Sequence, residues 1–424
     1  MTERKPILRT TTIALSLSFF ALASLAFGST QDDRKFIQVE AFNSKQRSKI
    51  AQTGMSIEAV RSDSVWGFAN PRAISELKSK GHKVLGEFPI EIGRGGHEGI
   101  FDFPQDDAAY HNYKELMAEF QKLQSENPEI VKIQSIGKSV EKRDLWAIHF
   151  NSSSQNLETG MSGKPGIVFI GNHHAREHIS VEVPLMLAQY LAAHKNDANI
   201  ANLLATRDIW IIPMLNPDGA EFDVASGNYR MWRKNRKPVS GGKVGVDLNR
   251  NYDFFWNTTG VSSDPSSEVY PGPSAFSEPE SSAVRDFIAA RPNLKVLLSY
   301  HSYSELVLWP WGHLDEPIAN SKDNATFETM GRTMAAWNGY TPERSAELYE
   351  ASGDTCDWAY AKFGIFAFTF ELSPSANSWG GFYPGADIIE QVFNANLKPA
   401  LYLMDLADNP YRVLDSHFDS GFMN

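Results

Sequence analysis

A single cysteine, Cys356, occurs in 424 residues. One thiol closes no internal disulfide, so the fold rests on burial of apolar surface. Cysteine-rich metal sites are excluded as well, and any metal must be held by His, Asp or Glu. Positive charge is in short supply: 40 Lys and Arg stand against 51 Asp and Glu, a net charge of −11 with no basic block. That argues against nucleic acid as a partner, because phosphate binding wants a basic face. Long apolar runs are missing after residue 28, and so are repeats and low-complexity tracts.

The one long apolar run is "TTTIALSLSFFALASLAFG" (10–28), preceded by the basic start "MTERKPILR". This is the order of a secretory signal peptide over 1–28, with small-residue cleavage sites after Ala23 or Gly28. An uncleaved anchor is the competing reading, but the run is short for a span of ~20 residues. A secreted or periplasmic protein, free of the membrane after cleavage, is expected. The length suits one large domain plus a small one.

Residues 29–88 read as the small unit. "KFIQVEAF", "SIEAVRS", "SVWGFAN" and "HKVLGEF" look like strands, and "SKQRSKIAQTG" and "NPRAISELKSKG" like helices. Asn70 is placed as N-cap and Pro71 at the first helical position. The order β-α-β-β-α-β predicts a ferredoxin-like fold. Residues 89–107 are rich in Gly and charge and read as a linker, with Arg94 before Gly-Gly as a protease-accessible site. From 108 to 410, apolar strands ("PGIVFIG", "RDIWIIPML", "LKVLLSYHS", "IFAFTFELS") alternate with helices. A mixed, mainly parallel twisted sheet flanked by helices is expected, with functional residues at strand ends. "NPDG" (216–219) is a turn signal, and Ser277 to Glu280 fits a capping box. Residues 411–424 form a tail.

"HHAREH" (173–178) poses a choice. On one continuous helix, His174 and His178 would be metal ligands and Glu177 a general base. However, the strand "IVFIG" ends at Gly171, only three residues earlier. His174 then sits in the turn out of the strand and Glu177 where the next helix begins, so these two become the ligand pair. His173 and His178 are taken as solvated or satisfied by hydrogen bonds. "LLSYHS" offers His301 as a third ligand, and "FAFTFELS" offers Glu371 as a separate base at a strand end. Two His and one Glu leave a zinc position open, as a catalytic site needs.

"NYRMWRKNR" spaces Arg230, Arg233 and Arg236 three apart, and "GVDLNRNYD" adds Asn249 and Arg250. In an acidic chain these clusters invite a carboxylate, which guanidinium forks bind in bidentate fashion. A set of surface salt bridges is the alternative.

At this point the residues resemble a known family, the zinc metallocarboxypeptidases of the A/B/T type, over about 108–405. "HARE", "NPDG", "RMWRKNR", "GVDLNRN", "HSYSELVLWPWG", "YEASGDTCDWAY" and "FTFELS" follow the family's order and spacing. The resemblance implies one Zn2+ per chain on His174, Glu177 and His301, with Asp247 orienting a zinc-binding histidine. It implies Glu371 as base and Arg233 as oxyanion donor. Asn249, Arg250 and Tyr349 would grip a substrate's terminal carboxylate. Arg176 and Tyr303 would line the non-primed side, and Arg230 the mouth of the cleft. Leu308, Gly312, Leu348, Ala351, Asp354, Cys356 and Thr369 fall on specificity-pocket positions. Cys356 departs from both the A and B types, and Asp354 restores an acidic wall as in the T type. This implies a preference for apolar or aromatic C-terminal residues, with some tolerance of Lys and Arg.

The resemblance further implies that residues 29–88 are an inhibitory pro-domain released by a protease cutting in 89–107. Peptide or protein C-termini are the expected partners, and the chain is expected to be a monomer. Two rival readings keep the site but change its use: a zinc peptidase acting on cell-wall peptides, or a non-catalytic binder of peptide C-termini.

Overall fold

The computed structural model describes residues 33–90, 102–225, 227–378 and 381–415. The apolar leader 1–28 and Arg94 lie outside the described residues. The chain first builds β1 (Lys35–Glu40), α1 (Ser44–Ala51), β2 (Ser56–Val60), β3 (Ser64–Ala69), α2 (Pro71–Ser79) and β4 (Val84–Pro89). Asn43 and Asn70 cap the two helices by accepting from Gln46 N and Ala73 N. The four strands are antiparallel in the order β2-β3-β1-β4, the ferredoxin-like arrangement. One face, with Ile37, Val39 and Val65, packs on Ile50, Ile74 and Leu77 of the helices. On the other face Phe68 packs with Tyr303 and Phe382 of the larger part of the chain.

The larger part runs α3 (Tyr113–Glu126), β5 (Val131–Lys138), β6 (Asp144–Phe150), α4 (Ser154–Thr159), β7 (Gly166–Gly171), α5 (Ile179–Ala193), α6 (Ala198–Thr206), β8 (Asp208–Ile212) and α7 (Pro217–Val224). It continues with α8 (Pro279–Ala289), β9 (Leu294–Ser304), β10 (Leu306–Trp309), α9 (Ser321–Asn338), β11 (Thr341–Arg344), α10 (Ser345–Leu348), α11 (Thr355–Phe363), β12 (Phe366–Ser375) and α12 (Ile389–Leu406). Eight strands form one sheet in the order β11-β10-β12-β9-β7-β8-β6-β5. The central run β12-β9-β7-β8 is parallel, and antiparallel pairs flank it.

Period-two alternation explains why the central strands read as unbroken apolar runs. Ile167, Phe169, Ile209 and Ile211 face a core shared with α5 and α12, whereas Val168, Ile170, Trp210 and Ile212 face a second core under α8 and α11. Each such fully buried side chain contributes about 1.5–3 kcal/mol. Both faces of the strand centres are therefore committed to packing, and chemistry is left to the turn after β7 and to the C-terminal halves of β9 and β12, which carry His301 and Glu371 inside the strands rather than at their ends.

Three local expectations need correcting. "NPDG" is a helix start: Asn216 caps α7 by accepting from Gly219 N, and Pro217 takes the first helical position. The capping box at Ser277 does not form, because Pro279 opens α8 with Glu278 as N-cap. Ser277 instead donates to the Glu278 carboxylate, and Glu280 accepts from Val140 N and Asn235 Nδ2. Within the expected linker, Phe103 is buried against Tyr110 and His178, and Asp107 accepts from the Tyr229 hydroxyl.

Candidate metal centre and substrate cleft

Strand register places the central residues. Glu371 on β12 pairs with His301 on β9, and the preceding β9 residue, Tyr300, pairs with Gly171 at the end of β7. A Cβ at residue 171 would collide with the Ser180 carbonyl oxygen, so only glycine lets the chain turn so closely under α5. The turn is then stitched in place. Asn172 Nδ2 donates to the carbonyls of His174 and Ala175, and Asn216 Nδ2 donates to that of His173.

This turn brings His174, Glu177 and His301 together, all buried. His174 Nδ1 and His301 Nδ1 lie 3.2 Å apart, and the Glu177 carboxylate oxygens lie 2.7 and 2.9 Å from them. A tetrahedral zinc with bonds of ~2.0–2.1 Å wants nitrogen ligands roughly 3.3 Å apart. The second nitrogens fit the same role, since His174 Nε2 meets Asp247 Oδ1 at 3.1 Å and His301 Nε2 meets Ser299 Oγ at 3.1 Å. With both Nε2 atoms occupied, both Nδ1 lone pairs converge on one point with a carboxylate. The donor set therefore fits zinc.

Arg233 is 4 % exposed and its guanidinium is a two-point donor to Asp247 Oδ2 at 3.0 and 3.1 Å. Asp247 thus touches a metal-centre histidine and Arg233 at once. Desolvation opposes ionisation of Asp247, but Arg233 and His174 outweigh it and hold its carboxyl well below the usual range. For Glu371 the balance is reversed. Burial, then the nearby Glu177 and Glu58 carboxylates, push it well above the ordinary carboxylate range.

Glu371, Arg233, Asn249, Arg250, Tyr303 and Tyr349 line one cleft together with the three clustered residues. Counting its open mouth, the cleft is ≈ 790 Å³. Leu308, Gly312, Leu348, Ala351, Asp354 and Thr369 line it too, giving a mostly small and apolar wall. Cys356 lies behind that wall, buried, with Sγ 3.2 Å from Thr369 Oγ1. Burial pushes its thiol far above the usual range, so it is no nucleophile. Asp354 caps α11 through Oδ1, while its buried Oδ2 has no hydrogen-bond partner. Burial, then Asp357, push the Asp354 carboxyl up to about 8.

Two other arginines do not join the cleft lining. Arg230 stacks over Phe222 and donates to Ala225 O, and Arg236 stacks over Phe222 and Trp232. Of the triplet read as an anion site, only Arg233 faces the cleft. Arg176 is fully buried, paired at 2.7 Å with both Glu58 and Glu268, with Phe68 and Phe382 over its guanidinium. His173 and His178 are buried and hydrogen-bonded, His178 to Asp223 at 2.8 Å.

Sequence reasoning missed what the N-terminal unit brings. Ile57, Glu58 and Val60 of β2 line the cleft themselves. Glu58 Oε2 lies 3.8 Å from Arg233, and Ile57 O accepts from the Tyr349 hydroxyl at 3.4 Å. Arg47 donates to the carbonyls of Glu347 and Leu348, and Ser48 accepts from Glu350 N. Partners hundreds of residues apart carry no local signal.

A buried His/Glu/His centre on the C-terminal side of such a sheet, beside an apolar-walled cleft with clustered Arg and Asn, defines a metal-dependent hydrolase. The zinc carboxypeptidase family profile matches residues 116–398, and the chain belongs to that family. It is a zinc metallocarboxypeptidase, a peptide hydrolase. It is 33 % identical over 420 residues to a zinc carboxypeptidase of Saccharothrix mutabilis subsp. capreolus, covering 95 % of both chains. It is 32 % identical to a carboxypeptidase B of Astacus astacus, over 71 % of this chain and 99 % of the relative. The crystal structure of a carboxypeptidase A from Helicoverpa armigera shares the fold at a TM-score of 0.70 and 24 % identity, covering 92 % of this chain and all of that one.

Proposed function

We propose that this chain is a secreted or periplasmic proenzyme that, once cut, removes apolar and aromatic residues from peptide C-termini. The observation that carries the reading is the pairing of Glu371 with His301 across β12 and β9, in one cleft with Asn249, Arg250 and Tyr349. Bound zinc on His174, Glu177 and His301 would lower the pKa of water and polarise the scissile carbonyl. Glu371 takes the proton from the attacking water and hands it to the leaving amine. Arg233, held by Asp247, donates to the carbonyl oxygen as that atom gains charge. Asn249, Arg250 and Tyr349 hold the terminal carboxylate, which sets the C-terminal side chain among Leu308, Leu348 and Ala351. Tyr303 lines the other side, and removal of the N-terminal unit takes Glu58 and Phe68 off Arg176 and opens it towards that side, whereas Arg230 stays on Phe222 away from the cleft lining.

Residues 29–88 act as an inhibitory segment, and a protease separates them by cutting in 89–107. In support, β2 fills part of the cleft, and its Glu58 pairs with Arg176 and approaches Arg233. The mature enzyme works as a monomer. The test is the release profile of the cut chain on peptides ending in Phe, Leu, Lys and Glu. Phe and Leu are released fastest, Lys more slowly and Glu least. Equal or faster release of Glu would refute the pocket reading.

A further inference from the structure

His173 has no part in the chemistry above, yet it is 0 % exposed and makes hydrogen bonds on both ring nitrogens. Nδ1 lies 3.3 Å from Ser299 Oγ, and Nε2 lies 2.8 Å from Thr355 Oγ1 and 3.0 Å from the Tyr252 hydroxyl. Ser299 Oγ is also the partner of His301 Nε2 at 3.1 Å. Thr355 Oγ1 is also 3.0 Å from Asn249 Oδ1. The geometry points to a polarised hydrogen-bond relay, Asn249–Thr355–His173–Ser299–His301, that positions the carboxylate clamp and the metal ligand together. This rests on the reading of Asn249 as a clamp residue.

The direction of every proton follows from one end. Thr355 N donates to Asn249 Oδ1 at 3.0 Å, which fixes that atom as the oxygen. An amide oxygen only accepts, so the Thr355 hydroxyl must donate to it. Thr355 Oγ1 is then left to accept from His173, which puts the His173 proton on Nε2, shared with Tyr252. A neutral imidazole has one donor and one acceptor, and full burial disfavours the charged form. His173 Nδ1 therefore accepts from Ser299. The Ser299 oxygen in turn accepts from His301, whose proton sits on Nε2. That leaves the lone pair of His301 Nδ1 free, facing His174 and Glu177.

The other end of the relay has a matching effect. With Oδ1 fixed by Thr355, Asn249 turns its Nδ2 donors away from the relay, available to a carboxylate. Asp247 completes a second arm, since its Oδ1 meets His174 Nε2 and also accepts from Asn249 N at 3.0 Å. Each histidine of the metal centre is thus tied to Asn249, one through its backbone and one through its side chain. His173, Ser299 and Thr355 are positioning residues.

Two-bond proton–nitrogen correlation spectra of the full-length, zinc-loaded, 15N-histidine-labelled chain read the tautomers. The relay requires His173 and His301 both protonated on Nε2; a proton on His173 Nδ1 overturns it. Zinc affinity, measured by chelator competition, is the second readout. Ser299→Ala weakens it about 10–100-fold, as loss of a ligand's hydrogen-bond partner does. Thr355→Val, which touches no ligand, weakens it several-fold, and Thr355→Ser restores it because the hydroxyl returns. Valine and serine variants that both bind zinc like wild type overturn the coupling. The clamp reading fails separately. The stated wild-type tautomers, with an unchanged KM in the protease-activated Asn249→Ala chain, would support the relay and remove only the clamp.

Discussion

Replacing Glu58 by Gln should make the uncut chain leak activity. Glu58 is the only carboxylate that the described N-terminal unit sends into the cleft, where it pairs with Arg176 at 2.7 Å and stands 3.8 Å from Arg233. Side chains of both partners in the closer pair are at most 4 % exposed. Truncating one partner of a buried charge pair costs 2–5 kcal/mol or more. Here the lower end applies, because Glu268 stays on Arg176 at 2.7 Å and prevents an orphaned guanidinium. About 2 kcal/mol is roughly a 30-fold shift in the docking equilibrium. The unit would remain mostly docked, since Arg34 still pairs with Glu268, Asn70 still meets Asp264 and Ser266, and Arg47 still holds the α10 carbonyls.

Release of Phe from a small C-terminal Phe peptide is the assay, with the chain checked as uncut before and after. Wild type should be nearly silent until cleaved, and E58Q should show about 30-fold higher activity without cleavage, rising further when cut. A second effect adds to this, because Glu58 is one of the carboxylates that hold the proton on Glu371. Uncut E58Q as silent as uncut wild type would refute the role of the ion pair. Uncut wild type as active as cut chain would refute inhibition altogether.

Glu371→Gln should keep a full equivalent of zinc while kcat falls by about 10²–10⁴-fold; normal turnover would exclude the base role. Asp247→Asn should weaken zinc about 10–100-fold, read by chelator competition, because it loosens His174 and Arg233 together. Asp354 has its carboxyl pushed up to about 8, so it is neutral below that pH and charged above it. The ratio of Lys to Phe release from the cut chain should therefore rise as pH passes through about 8, and D354N should flatten it. Glu280 is buried with its carboxyl pushed up to about 7. The native state keeps this proton longer than the unfolded one, so its contribution is whole below about pH 4.5 and is lost as pH rises through 7, by about 3 kcal/mol at most. Urea titrations of Glu280→Gln should lose that decline.

Much of the site was legible because its residues sit at fixed offsets from the apolar runs of the strands. "GIVFIG" ends three residues before His174, and the apolar runs "LLSY" and "FAFTF" give way at His301 and Glu371, although those two strands do not end there as expected but continue to Ser304 and Ser375. Parallel register then brings those positions together without further information. Arg230 and Arg236 show where this logic stops. Their spacing matches that of Arg233, but an aromatic side chain, Phe222, lies on the preceding helix to receive both guanidinium groups. A charge run cannot announce which member faces inward when the decision belongs to a ring elsewhere in the chain.

Arg176 makes the same point in the opposite sense. Its place between two metal-centre residues suggested a substrate contact, yet it is sealed between carboxylates from Glu58 and Glu268, which no periodicity connects to it. Arg34 extends this chain of charges, joining Glu268 at 2.7 Å, so that two arginines and two glutamates alternate across the seam between the N-terminal unit and the rest. Removal of residues 34–90 would take away Arg34 and Glu58 together and leave Arg176 with Glu268. The charge balance at the seam is the same before and after, one glutamate for each arginine. A docked inhibitory unit built this way costs the released enzyme no unpaired buried charge, a penalty of about 3–5 kcal/mol that would otherwise hold the two parts together.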